Sequence, residues 1–112
     1  MRQKPKPLRP KTGMNGTEQK YAELLEHMKL AGDILDYKFE AVKFRLAKAT
    51  YYTPDFMVIF PNHIEFHEVK GFWRDDARVK IKVASGMFPE FGFMAVQLKK
   101  KQWEYEEFEC GN

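Results

Sequence analysis

The sequence predicts an α/β domain of order αβββαβ, a mixed sheet flanked by helices. Three observations carry this: two stretches with helical spacing, a block between them in which apolar residues alternate, and an apolar stretch after the second helix. With 112 residues, 44% hydrophobic and 15% aromatic, the chain has enough apolar side chains for one core. Residues 14–112 are expected to form that single domain, behind a flexible basic arm at 1–13.

The first helix follows Asn15-Gly16-Thr17, a start signal, and Tyr21, Leu24, Leu25 and Met28 recur on one face until Gly32 stops it. From Tyr37 to Leu46 apolar and charged residues alternate, with a change of phase at Ala41/Val42, so one long strand with a bulge or bend is expected. Tyr51–Phe60 reads as a second strand, Pro61-Asn62-His63 as a turn, and Ile64–Lys70 as the third strand, the last two forming a hairpin. Ala77, Ile81, Ala84 and Phe88 return to helical spacing over 75–88. Phe91–Leu98 reads as the returning strand and Lys99–Phe108 as a short closing helix.

No apolar run approaches the roughly 18 residues of a membrane span. The basic N-terminus leads into no hydrophobic segment and the single cysteine, Cys110, has no partner in the chain, which together suit a reducing cytoplasm. A lone cysteine cannot build a zinc cluster. The net charge of +3 is uneven, since residues 1–13 carry Arg2, Lys4, Lys6, Arg9 and Lys11 and no acid. Interrupted by Pro5, Pro7 and Pro10, this arm has nothing to bury and suits contact with nucleic-acid phosphates, or else serves as a solubilising leader.

The chemistry concentrates in the third strand. Period two puts Ile64, Phe66, Glu68 and Lys70 on one face, so a carboxylate and an ammonium follow two apolar residues at its end. Asp55 lies thirteen positions before Glu68, within reach across the hairpin. Two adjacent carboxylates repel, and a hard cation such as Mg²⁺ relieves this by binding both and keeping several waters. A lysine beside such a pair can orient a metal-bound water or take its proton for attack on a phosphodiester. The bland alternative is an exposed salt bridge on a strand.

The motifs Tyr52-Thr53-Pro54-Asp55-Phe56, Glu68-Val69-Lys70-Gly71-Phe72-Trp73, Asp75-Asp76-Ala77-Arg78 and Phe88-Pro89-Glu90 carry a resemblance. Over residues 16 to about 98 the chain resembles the phage endonuclease I family of Holliday-junction resolvases and is similar to small phage and prophage nucleases of the PD-(D/E)xK superfamily. The resemblance implies a restriction-endonuclease-like core and a phage or prophage origin in a bacterial host. It further implies a homodimer acting on branched DNA with Mg²⁺, for which Mn²⁺ would substitute. It assigns metal binding to Asp55, Glu68 and the carbonyl of Val69, and catalysis to Lys70. It adds a metal-ligating glutamate from the first helix, which matches Glu18.

Spacing also places Glu18 on the buried stripe, three before Tyr21 and seven before Leu25, whereas its alternative role is a capping box with Asn15. Arg74, Arg78 and Lys82, with Lys80 nearby, form a basic stripe on the second helix that can hold phosphates or simply face water. His67 faces away from Glu68 and is read as structural. Two further functions stay open: a nuclease or nickase on plain duplex or single-stranded DNA, and a DNA-binding accessory protein that does not cut.

Overall fold

The computed structural model describes residues 13–70 and 75–109, with the side chains of Asp75 and Asp76 left out. Helix α1 (Gly16–Ala31) starts with a complete capping box: the Glu18 amide donates to Asn15 Oδ1 at 2.8 Å and the Asn15 amide to Glu18 Oε1 at 3.0 Å. Two of the four amides that a helix start leaves without partners are satisfied this way. The helix stops at Gly32, whose φ of 87° lets the Gly32 and Asp33 amides turn back onto Lys29 and Met28 carbonyls.

Seven strands and a second helix follow: β1 (Asp36–Phe39), β2 (Phe44–Ala47), β3 (Thr50–Tyr52), β4 (Phe56–Ile59), β5 (Ile64–Lys70), α2 (Asp75–Met87), β6 (Gly92–Lys99) and β7 (Gln102–Phe108). The main sheet has the order β1-β4-β5-β6-β7, antiparallel except for β5 and β6, which run parallel across the α2 connection. Strands β2 and β3 form a separate hairpin. The fold is therefore α/β with a mixed sheet and a helix packed on each face, and it has more strands than the sequence predicts.

The long first strand is corrected to two. At Glu40 the backbone turns left-handed (φ 50°) and its amide donates to the Asp55 carbonyl at 2.8 Å, ending β1. Phe39 packs into the core under α1 and Phe44 into the core under α2, so the change of phase at Ala41/Val42 marks a change of sheet. The strand expected over 51–60 also divides, at the buried Pro54, which has no amide hydrogen to continue a ladder.

The closing helix expected over 99–108 is a strand. β7 pairs with β6 from Lys99↔Gln102 to Phe93↔Phe108. Alternation sends Trp103 onto Tyr21 of α1, ring centroids 4.9 Å apart, and on the other face sends Glu106 and Phe108 towards Arg78 of α2. Trp103 and Tyr105 on one face and Phe108 on the other serve a sheet with both faces covered, which outweighs the helical preference of the glutamates.

The sheet separates two cores. Tyr21, Leu25, Ile34, Phe56, Val58 and Val96 fill the α1 side; Phe44, Tyr52, Phe66, Ile81, Ala84 and Phe93 fill the α2 side. β5 serves both, with Phe66 on the α2 side and His67 and Val69 on the α1 side. No helix among the described residues is long and apolar enough to cross a membrane. Because Gly32 holds a left-handed conformation, Gly32→Ala is expected to cost about 1 kcal/mol, read as a lower urea midpoint at unchanged slope.

Candidate active site

The β4–β5 register pairs Phe56 with His67, so one step further Asp55 stands opposite Glu68 where β4 begins and β5 is ending. Asp55 is only 9% exposed, and its Oδ2 accepts the Val69 amide at 2.8 Å. Glu68 is held from the other side, where the buried Tyr52 hydroxyl donates to its Oε1 at 2.8 Å. Burial pushes the Asp55 carboxyl far above the ordinary carboxylate range, the neighbouring Glu68 charge pushes it further and Glu18 adds to the effect, while the Val69 amide opposes them. Burial raises Glu68 too, against the hydrogen bonds from Tyr52 and Asp55. A buried carboxyl pair of this kind requires a positive charge, supplied by a shared proton or by a cation.

Of the two roles weighed for Glu18, the capping box with Asn15 is present. The same carboxyl lies near enough to Asp55 and Glu68 to act on both. Among the described residues no three His, Cys, Asp or Glu side chains converge closely enough to hold an ion by themselves. The carboxylates that could contribute to holding a cation are Asp55 and Glu68, with Glu18 beside them, and Mg²⁺ is a cation commonly bound through one or two carboxylates with water in its remaining positions. Of Val69, the amide is seen to be engaged with Asp55.

Lys70 follows Glu68 on the same strand face. With Ala95, Gln97, Lys99, Glu104, Tyr105 and Glu106 it lines a cavity of about 150 Å³ on the β6–β7 side. Burial lowers its pKa from the ordinary lysine value; Glu106 draws it back up, and the charges of Arg78 and Lys99 press it down. Arg78 is occupied by a two-pronged ion pair with Glu106, 3.0 and 2.7 Å, and lies 5.5 Å over the Phe108 ring. Together with Lys82 it borders a groove of about 460 Å³ between α2 and β7, whose lining includes Glu106, Glu107 and Glu109 but neither Asp55 nor Glu68. Lys80 is half-buried and Lys82 exposed. Lys4, Lys6, Arg9, Lys11 and Arg74 lie outside the described residues.

Tyr52 and Glu106 belong to this neighbourhood and were not legible from spacing. Tyr52 offered one signal, its place three residues before Asp55 in the same aromatic segment. Glu106 offered none, because the segment containing it reads as helix. His67 does face the opposite side from Glu68: it is 4% exposed, 2.6 Å from the Tyr21 hydroxyl through Nδ1 and 2.9 Å from Glu65 through Nε2.

Comparisons with protein-family models, with curated proteins and with solved structures found no match to this chain.

The Asp55 environment sets a sign for stability. Its folded pKa stands above its ordinary value of 3.8, so folding favours the protonated form. The resulting penalty is nil well below pH 3.8, grows as pH rises from there towards the folded value of about 9, and levels off above it. Asp55→Asn is therefore expected to melt higher than the wild type near pH 7 in chelator, the gap closing towards pH 4. Scanning calorimetry across that range checks it.

Proposed function

We propose that this chain is a divalent-metal-dependent endodeoxyribonuclease of PD-(D/E)xK type that hydrolyses phosphodiester bonds in branched DNA. The observation that carries the reading is the buried Asp55–Glu68 carboxyl pair with Lys70 two residues further along the same strand face. The element order supports it as well. In this reading α1, the antiparallel β1, β4 and β5, then α2 and the parallel β6 would be the αβββαβ core, with β2–β3 as an insertion and β7 as an addition.

In this reading Asp55, Glu68, the Val69 carbonyl and Glu18 would hold Mg²⁺, or Mn²⁺ in its place. The ion would offset phosphate charge and lower the pKa of a bound water. The chain's own residues do the positioning. The Val69 amide fixes the orientation of Asp55, and the Tyr52 hydroxyl fixes that of Glu68. Lys70, its ammonium destabilised by burial and by two neighbouring cations, is suited to orient the attacking water or accept its proton.

Branched DNA is the favoured substrate because recognition of shape needs only phosphates and cations, which a domain of this size can supply. Resolving a junction takes paired incisions, so the reading includes a homodimer. Val79, Val83 and Met87, exposed at four-residue intervals on α2, offer apolar surface for it. A simple nuclease on duplex or single strands would leave the same site in place and need no dimer.

Asp55→Asn, Glu68→Gln and Lys70→Ala are each expected to reduce cleavage by at least roughly 100-fold while the fold is retained. The assay compares a four-way junction, a flap, duplex and single strand with Mg²⁺, Mn²⁺ or chelator. Near wild-type cutting by any one of the three would refute the site. Wild-type protein that is monomeric on the junction and cuts duplex equally well would favour the simple nuclease.

Glu18→Gln separates the two roles of that residue, because glutamine also serves at the third position of a capping box. An unchanged melting temperature in chelator is expected, with a weaker stabilisation on adding Mg²⁺.

A further inference from the structure

The turn between β6 and β7 is built against local preference. Lys99 pairs with Gln102, which leaves Lys100 and Lys101 as a two-residue hairpin loop. Both are left-handed, with φ of 50° and 67°. Two successive left-handed residues define the type I′ turn, which favours Asn-Gly or Asp-Gly because a long L side chain there costs on the order of 1 kcal/mol per residue. Among the described residues only Glu40 and Ala49 are other non-glycine residues in this region. A sequence selected for turn stability alone would not put lysine at both positions.

Charge and position indicate a use. Lys99 has Glu104 at 3.7 Å, whereas among the described residues no carboxylate pairs with Lys100 or Lys101, and both are exposed. The turn lies at the sheet end where β5 and β6 finish, the end that carries Asp55, Glu68 and Lys70. Lys70 pairs with Gln97 and shares its cavity with Lys99. Lys100 follows Gln97 by three residues, about 10 Å along the strand, a distance that spans roughly three phosphates of one DNA strand.

We propose that the Lys100-Lys101 turn is a DNA-backbone contact, gripping phosphates that flank the scissile bond while Lys70 works at the site. This rests on the nuclease reading above and extends its substrate surface beyond α2 and the N-terminal arm. The competing explanation is a lysine-guarded corner that discourages pairing along the exposed edge of β7.

The test replaces Lys100→Asn and Lys101→Gly together, which supplies the sequence the turn prefers. Binding to a fluorescein-labelled four-way junction and a labelled duplex is followed by anisotropy in chelator between 50 and about 300 mM salt. The expected result is a melting temperature at or above that of the wild type, with affinity about tenfold lower at 0.1 M salt. The slope of log K against log salt should be shallower by about 1.8, two phosphate contacts at 0.9 each. A paired Lys100→Arg and Lys101→Arg variant, with the same backbone demand and charge, should keep wild-type affinity and slope.

If the Asn-Gly variant keeps the wild-type affinity and slope while the wild type cuts DNA, the turn is passive and only this proposal fails. Loss of affinity in the arginine pair would also overturn it, because charge would not be the determinant. Wild-type protein that binds neither DNA would remove the nuclease reading and this contact together.

Discussion

Where β4 begins, Pro54 breaks the ladder and leaves the Asp55 carboxylate to accept the Val69 amide. That hydrogen bond is the constraint on which the site end of the sheet depends. It fixes a loop residue against the last residues of β5, so that Asp55 and Glu68 share one low-dielectric space instead of turning separately to water. Its main effect is geometric. Without it, burying two carboxyls side by side would be relieved by rotation of one of them. With it, relief has to come from a proton or a cation.

Glu68 and Lys70 were legible in the sequence because a strand has a strict period, and two charges after two apolar residues on one face leave little choice of orientation. Asp55 followed from hairpin arithmetic. The parts that were not legible depend on contacts distant in sequence. Tyr52 reaches Glu68 because the strand divides at Pro54, and although a proline marks the break, it does not announce that β3 will pair with β2 outside the main sheet. β7 was concealed by its own glutamates, whose helical preference is decided against by Tyr21 and Arg78, partners that are 82 and 28 residues away from Trp103 and Glu106. Glu18 presented two local readings, and of these the capping box is the one visible in the fold, with the same carboxyl close enough to act on Asp55 and Glu68.

The opposite face of β5 is also polar in part. Glu65 accepts from two histidines, His63 at 2.7 Å and His67 at 2.9 Å, and His67 continues to Tyr21 at 2.6 Å. This chain satisfies groups that would otherwise be costly to bury, and it ties β5 to α1 through named atoms. Gly92 accommodates it, because a Cβ there would stand 2.9 Å from Glu65 Cγ. A strand held on one face by such a network gives Glu68 and Lys70 on its other face a firm mounting.

The Arg78–Glu106 pair and the parallel pairing of β5 with β6 bear on the order in which the molecule can be assembled. Tyr52 and Glu68 are 16 residues apart and meet through one hairpin, whereas Arg78 and Glu106 are 28 apart and meet only after α2 has crossed the sheet and β7 has turned back. Loop closure is costlier for the longer path, and parallel pairing is slow to form. During synthesis from the N-terminus, the acidic half of the site thus precedes the surroundings that tune its lysine, and the two halves come together only with the last strand.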